Sequence, residues 1–199
     1  MTKLILASSS PARKTLLANA GVDFESITSH VDEEALVEAA KPPTVQAMVQ
    51  LLARAKAEKV AEGLSSGLVL GCDSALEFEG EALGKPLYSD VALARWRRMS
   101  GKSGILYTGH FLIDLKSGKA ESAVSSTVVH FAKLSEAEIV GYVATKEPLQ
   151  VAGAFTIDSL GGPYVERIEG DYHTVVGLSL AQLRQMVIKL GYEYQSLWR

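Results

Sequence analysis

The sequence KLILASSSPARKTLLANAG, residues 3–21, joins a short apolar run to three hydroxyls and then to a helical pattern. The apolar residues 4–6 predict a strand that is buried on both faces. Pro11 suits the first turn of a helix, and Gly21 marks its end. A strand that leads through a serine loop to a helix N-terminus favours binding of an anion, because unpaired amides and the helix dipole both point there.

The polar side chains of this turn allow two interpretations. Ser8, Ser10 and Arg13 could bind a phosphate, which would explain a cation in the first turn of a helix, where the dipole disfavours it. Alternatively, a serine caps the helix and Arg13 is solvated. The pattern by itself leaves both interpretations open.

The composition is that of an ordinary globular protein. The chain has 199 residues, 47% of them hydrophobic and 22% charged, which is enough for one domain over residues 1–199 or for two closely joined lobes. A net charge of −3 argues against a nucleic-acid partner. The single cysteine, Cys72, excludes an intrachain disulfide, and we find no signal peptide or apolar run of membrane-spanning length. We therefore expect a cytoplasmic protein without a membrane partner.

A second informative stretch, GLVLGCDSALEFEGEALGKP, occupies residues 67–86. The apolar residues 68–70 predict a short buried strand, and Asp73 follows at once, where open α/β sheets place their ligands. An ordinary aspartate titrates at about 3.9, so Asp73 would be ionised at neutral pH and able to accept a proton or bind a metal. Its alternative role is a turn aspartate that caps local amides.

Lys85 is expected to return towards Asp73. A hairpin with its turn at Glu79 and Gly80 would bring the GKP segment, residues 84–86, back beside the preceding strand. The Lys85 ammonium could then contact both the carboxylate and a phosphate. The chain has no GxxxxGK[ST] motif, so this is not a Walker loop.

Two further charged groups lie between these stretches. Three carboxylates, among them Glu33, lie in a predicted loop over residues 32–34. They either form a solvated acidic loop or contribute ligands to a divalent metal ion. Thr44 can cap a long helix in which Lys56 lies near the apolar face. Lys56 either snorkels to solvent or reaches a pocket as a phosphate ligand.

The second half of the chain predicts further helices and strands. Strands are expected over residues 105–115, interrupted at 108–110, and over residues 122–131, and helices begin near Ser89, Ser135 and Ser179. A glycine-rich stretch over residues 151–180 contains Asp158. The four histidines lack metal-ligand spacing and no G-x-S-x-G elbow is present, which argues against zinc hydrolases and serine hydrolases.

Taken in order, these blocks resemble the Maf family of nucleoside triphosphate pyrophosphatases, the septum-formation-inhibitor-like proteins. The matching segments are LILASSSPARKTLL (4–17), VDE (31–33), the helix around Lys56, GCDS (71–74), GKP (84–86), TGH (108–110) and AGAFTIDSLGGPYVERIEGDYHTVVGL (152–178). The resemblance implies an α/β fold with an elongated mixed central sheet flanked by helices, similar to inosine triphosphatase. It also implies two lobes around a cleft and a homodimer.

The resemblance further implies a reaction and a set of site residues. The reaction is hydrolysis between the α- and β-phosphates of a nucleoside triphosphate, with Mg²⁺ or Mn²⁺ as cofactor, which would clear non-standard or excess nucleotides. Asp73 matches the proton acceptor and, with Glu33, the metal ligands, and Lys85 matches a second catalytic group. The positions that match phosphate-binding residues are Ser8, Ser10, Arg13, Lys56 and Lys85.

Substrate selection in the family is associated with three positions, which here are Ala12, Ser74 and Asp158. Members that favour dTTP and UTP have arginine, threonine and glutamine there, and members that favour 7-methyl-GTP have tryptophan, glutamine and glutamate. This chain fits neither set, although the acid at Asp158 is nearer to the second. A carboxylate would accept hydrogen bonds from the N–H groups of guanine.

Two other functions are consistent with these residues. An inosine triphosphatase-like enzyme would have a similar fold and reaction but a different base preference. A nucleotide-binding regulator of cell division would need the lysines but would have less use for a carboxylate such as Asp73, which repels phosphate.

Overall fold

The computed structural model describes residues 3–199, which form a mixed α/β structure. The strands are β1 (Leu4–Leu6), β2 (Phe24–Ser26), β3 (Leu68–Phe78), β4 (Glu81–Leu83), β5 (Ser103–Asp114), β6 (Ala120–Phe131) and β7 (Val165–Gly170). The α-helices are α1 (Pro11–Asn19), α2 (Glu33–Ala40), α3 (Val45–Ala61), α4 (Ser89–Met99), α5 (Glu136–Ala144), α6 (Tyr172–Val176) and α7 (Leu180–Lys189). Short 3-10 helices occupy Glu147–Gln150, Ala152–Ala154, Gly162–Tyr164 and Tyr194–Leu197.

One seven-stranded sheet contains all of these strands, in the order β2-β1-β3-β5-β6-β7, with β4 paired to β3. Strand β1 runs parallel to both β2 and β3, whereas β3 with β4 and β6 with β7 are antiparallel pairs. The sheet is therefore mixed, and the predicted fold class is confirmed. None of the helices within residues 3–199 combines the length and the apolar character that a bilayer crossing requires.

The chain divides into two compact units. The first unit contains residues 3–73, 108–125 and 177–199, and the second contains residues 74–107 and 126–176. The single domain over residues 1–199 and the cleft between lobes stay predictions, and residues 1 and 2 lie outside the described part of the chain.

In the first unit, glycines allow helix α3 to lie close to the sheet. A Cβ atom on Gly71 of β3 would stand 2.0 Å from the Ala53 carbonyl oxygen, and one on Gly109 of β5 would stand 2.4 Å from the Val49 carbonyl oxygen. Contacts this short require the absence of a side chain. The close approach brings the polar end of the Lys56 side chain to β3.

The core of the second unit is aromatic. Trp96 of α4 is fully buried, and its ring meets those of Phe131, Tyr142 and Tyr164 edge-on at centroid distances of 5.6, 5.5 and 5.9 Å. The indole Nε1 donates a hydrogen bond of 2.8 Å to the Ala154 carbonyl oxygen. The one polar group of this large side chain is therefore satisfied inside the core.

Three local predictions are wrong. Residues 33 and 34 open helix α2 instead of lying in a loop, because Asp32 accepts a hydrogen bond from the Ala35 amide at 3.0 Å and acidic residues favour a first turn. Strand β3 continues through Asp73 to Phe78. Strand β5 runs without interruption through residues 108–110, which are buried.

The turn at Glu79 and Gly80 is confirmed between β3 and β4, as are the cap at Thr44 and the helix starts at Ser135 and Ser179, where both serines act as caps. These features depend on hydrogen bonds within a few residues of chain, so their sequence signals are reliable.

Candidate active site

The turn between β1 and α1 is built on serine hydroxyls. Ser10 is the N-cap of α1, and its Oγ accepts a hydrogen bond of 3.5 Å from the Arg13 amide. The Ser8 Oγ accepts from the Ser10 amide at 3.2 Å, and the Ser8 carbonyl oxygen accepts from the Ser26 hydroxyl at 2.7 Å. The helix N-terminus and its amides are thus held in a defined place at the end of β1.

Arg13 points into the protein, so the interpretation as a solvated arginine is wrong, while the serine cap is confirmed. Its side chain is only 9% exposed. The guanidinium donates through Nη1 to the Ser8 Oγ at 3.3 Å and through Nε to the Gly177 carbonyl oxygen at 2.6 Å. Sequence reasoning missed Gly177, which lies 164 positions further along the chain.

Lys56 is the buried centre of a charge cluster that contains the buried Asp73 and also Glu33, whose side chain is 51% exposed. Lys56 is 8% exposed, and its Nζ lies 2.6 Å from the Asp73 Oδ1 and 2.8 Å from the Glu33 Oε1. The side chain therefore does not snorkel to bulk solvent. With two carboxylate partners, the Lys56 ammonium stays compensated when one of them is removed.

Asp73 lies inside β3 and is 8% exposed, so the turn-aspartate interpretation is wrong. Burial raises the pKa of the Asp73 carboxyl above its usual range, and the charges of Lys56 and Arg13 oppose that increase. Its Oδ1 accepts a hydrogen bond of 2.6 Å from the Lys56 Nζ. A carboxylate with one oxygen held by a cation and a raised pKa is suited to accept a proton.

The neighbouring thiol is chemically inert. Cys72 is fully buried, and burial raises the pKa of its thiol to about 12 although Arg13 and Lys56 act in the opposite direction. Because the thiolate is the reactive form, Cys72 is not a nucleophile at neutral pH. Of these two neighbours on β3, Asp73 is thus the candidate reactive group.

The pair Glu33 and Asp73 suits a divalent cation. Both carboxylates already converge on one positive group, the Lys56 ammonium. Within residues 3–199 there is no group of three or more His, Cys, Asp or Glu side chains that could hold a metal ion. Mg²⁺ commonly uses one or two carboxylates and completes its octahedron with water and phosphate oxygens, so these two residues fit that ion.

The four remaining predicted residues are Ala12, Ser74, Lys85 and Asp158. Ala12 is half-buried in the first turn of α1, one position before Arg13. Ser74 is the next residue after Asp73 along β3, and Lys85 and Asp158 are exposed in the second unit. The structure thus brings together Ser8, Ser10, Arg13, Glu33, Lys56 and Asp73. The roles of these residues and of the other four stay predictions.

A histidine also supports this unit, and sequence reasoning assigned it no role. His110 is fully buried in β5, and its Nε2 accepts a hydrogen bond of 2.9 Å from the Ser179 amide at the start of α7. An Nε2 that accepts belongs to a neutral ring. The two partners are 69 positions apart, so no local pattern could have indicated the contact.

Comparisons with known proteins agree with this arrangement. A sequence model of the family described as "Maf-like protein" matches residues 3–190. A protein of Salinispora tropica named nucleoside triphosphate pyrophosphatase is 50% identical over 98% of this chain and 87% of its own length. A protein of the same name from Leifsonia xyli subsp. xyli is 50% identical over 98% and 96%. A solved structure of the Staphylococcus aureus Ham1 protein covers 99% of this chain and 94% of that chain with a TM-score of 0.47 and 11% identity, a similarity too low to bear on fold or function.

Proposed function

The chain belongs to the Maf-like protein family, and we propose that it hydrolyses nucleoside triphosphates to the nucleoside monophosphate and pyrophosphate. The observation that carries the proposal is the buried pair of Asp73 and Lys56, 2.6 Å apart, in the same unit as the N-terminus of α1. A reaction on a polyphosphate needs donors for the anion and a base for water, and this cluster offers Lys56 and Arg13 for the first and Asp73 for the second.

The phosphates are bound by the first unit. The amides at the start of α1, the Ser8 hydroxyl and the Arg13 guanidinium offer hydrogen bonds to phosphate oxygens, and Lys56 contributes a second positive charge. The resemblance assigns phosphate binding to Lys85 as well. Donors that are held in place before the reaction stabilise charge that develops on the leaving group.

Asp73 is proposed to act as the general base. The oxygen of a water molecule forms a bond to the α-phosphorus, and the bond from that phosphorus to the α,β-bridging oxygen breaks. Asp73 takes the proton of the water, and pyrophosphate leaves with the bonding electron pair. The raised pKa of the Asp73 carboxyl makes it a better proton acceptor than an exposed aspartate.

A divalent cation is part of the proposal. Glu33 and Asp73 would hold Mg²⁺ or Mn²⁺, which supplies neutralisation of charge on the phosphate oxygens. When it binds, the Lys56 ammonium has to share these carboxylates or turn to a phosphate. Removal of the cation with a chelator is expected to abolish turnover and leave the fold intact.

The resemblance supports three further parts of the proposal. Ala12, Ser74 and Asp158 select the base, the protein is a cytoplasmic homodimer, and its partner is the nucleotide, with neither nucleic acid nor membrane involved. Size-exclusion chromatography with light scattering tests the dimer.

The experiment that tests the function is pyrophosphate release from a panel of standard and modified nucleoside triphosphates, with Mg²⁺ or Mn²⁺. The Asp73→Asn variant serves as the blank. Release above the blank supports the enzyme and ranks the bases. Nucleotide binding without release from any nucleotide would instead favour the regulator of cell division.

A further inference from the structure

Glu147, at the start of a 3-10 helix in the second unit, accepts an unusual number of hydrogen bonds. Its Oε1 accepts from the Tyr142 hydroxyl at 3.0 Å, from the Thr156 hydroxyl at 2.5 Å and from the Gly161 amide at 3.0 Å. Its Oε2 accepts from the Leu160 amide at 3.2 Å. One carboxylate therefore accepts hydrogen bonds from side-chain hydroxyls and backbone amides of residues that precede and follow it in the chain.

These donors enclose a short loop. Residues 156, 160 and 161 all donate to Glu147, and Asp158 lies between them along the chain with its side chain exposed. The Thr156 hydroxyl additionally accepts from the Gly161 amide at 3.2 Å. A Cβ on Gly161 would stand 2.4 Å from the Tyr142 hydroxyl oxygen, so this turn has no room to shift towards α5. The position of Asp158 thus depends on what binds its two flanks.

The same segment also holds the loop that carries Lys85. The Leu149 carbonyl oxygen accepts from the Leu87 amide at 3.0 Å, and the Gly84 carbonyl oxygen accepts from the Gly153 amide at 3.3 Å. Leu87 has a φ of 64°, which a leucine rarely adopts without support from its surroundings. The loop that carries Lys85 and the loop that carries Asp158 are therefore both hydrogen-bonded to residues 147–154.

We propose that Glu147 is a positioning residue that places the Asp158 loop relative to Lys85, and that it thereby determines how strongly the enzyme discriminates between bases. The proposal rests on the proposed function for the roles of Asp158 and Lys85. Glu147 itself touches no reacting atom. It acts by binding the Asp158 loop to residues 147–154, the segment to which the Lys85 loop is also hydrogen-bonded.

The chemistry of the loop calls for a carboxylate. Its two oxygens accept several hydrogen bonds, whereas the amide of a glutamine has one acceptor oxygen and an NH₂ group that would face a donor. The hydrogen bonds from Thr156, Ser159, Tyr142 and Leu160 outweigh burial and lower the pKa of Glu147, so it carries its charge at neutral pH. A carboxylate held by neutral donors binds the loop without needing a counter-ion.

The test compares Glu147→Gln with Glu136→Gln, a control that removes a carboxylate paired with Arg97 on the surface of the same unit. In Glu147→Gln, hydrogen exchange at the Leu160 and Gly161 amides should accelerate at least about tenfold, because each loses a charged acceptor. The ratio of kcat/KM between the best and the worst nucleotide of the panel should fall about tenfold, with KM changing more than kcat. The control should match the parent in both measurements.

The outcomes separate this proposal from the proposed function. Unchanged hydrogen exchange in Glu147→Gln would overturn the role of Glu147, and so would faster exchange with an unchanged ratio of kcat/KM. In both cases pyrophosphate release would persist and the proposed function would stand. If the parent released no pyrophosphate, the proposed function would fail. The role of Glu147 in base selectivity would then be tested by comparing the ratio of nucleotide dissociation constants in Glu147→Gln with that in the parent. Should Glu147→Gln fail to fold, Thr156→Val removes one donor and is expected to show the same two changes at smaller size, and no change in it would contradict the proposal.

Discussion

Asp73 in the first unit and Glu147 in the second are carboxylates in opposite situations. Asp73 is met by cations, with Lys56 at 2.6 Å, yet burial still raises its pKa. Glu147 is half-buried, and hydrogen bonds from neutral hydroxyls and amides outweigh the effect of burial, so its pKa is lowered. The deeper burial of Asp73 and the larger number of hydrogen bonds to Glu147 therefore separate the two pKa values.

This difference shows how a reactive carboxylate is distinguished from a structural one. Every donor around Glu147 is part of the fold, so its charge is fully used in holding a loop. Asp73 shares Lys56 with Glu33, and a phosphate or a metal ion can take over some of those contacts. Contacts that a ligand can take over would make Asp73 available for the proposed chemistry.

The largest effect is expected from Asp73→Asn. Pyrophosphate release should fall about 1,000-fold, because an amide accepts no proton from water. The free energy of unfolding should not fall, since the substitution removes a buried charge and Lys56 keeps Glu33 as a partner. Steady-state kinetics and chemical denaturation measure the two quantities, and nucleotide binding should remain. Activity within tenfold of the parent would show that Asp73 is not the base.

Gly71→Ala tests whether the close approach of α3 creates the charge cluster. The new Cβ would stand 2.0 Å from the Ala53 carbonyl oxygen, so α3 has to move away and carry Lys56 from Asp73. We expect a loss of about 2 kcal/mol in the free energy of unfolding, together with lower activity. Gly141→Ala in α5 is the matched control, because nothing lies within 4 Å of its new Cβ. Equal stability of the two variants would contradict this role of Gly71.

Tyr142→Phe weakens the surroundings of the other carboxylate. It removes the donor to Glu147 and the acceptor for the Thr156 amide while the ring stays in the aromatic core. The expected loss is about 1 kcal/mol in the free energy of unfolding, measured by denaturation. Pyrophosphate release should stay near the parent value, unlike in Asp73→Asn. A variant as stable as the parent would show that this hydroxyl is dispensable.

The smallest effect is the pH dependence of stability, which should have opposite signs at the two sites. Glu147 has a lowered pKa, so its stabilisation is complete above about pH 4.3 and is lost as the pH falls through its folded value. Asp73 has a raised pKa, so its unfavourable contribution is absent at low pH and grows as the pH rises above about 3.9.

Denaturation curves of the parent, Asp73→Asn and Glu147→Gln between about pH 3 and 7 check this sign difference. With rising pH, the parent should gain stability relative to Glu147→Gln and lose it relative to Asp73→Asn. The same sign for both differences would mean that the two carboxylates are in similar environments.

The sequence by itself determined the features that arise within a few residues of chain. The caps at Ser10, Thr44, Ser135 and Ser179 and the turn at Glu79 are hydrogen-bonded locally, so their residue types indicate them directly. The apolar runs likewise indicate β1 and the start of β3. The sequence also singled out Asp73 as the central carboxylate, because it follows an apolar strand.

Tertiary structure alone decided which of these residues meet. Lys56 reaches Asp73 because two glycines let α3 approach the sheet, and Arg13 binds a carbonyl 164 positions away. Glu147 drew no attention in the sequence, since its donors lie up to 14 positions away from it and are backbone amides and hydroxyls. Whether a charged side chain is solvated or buried depends on packing between distant segments, and that packing is not written in any local pattern.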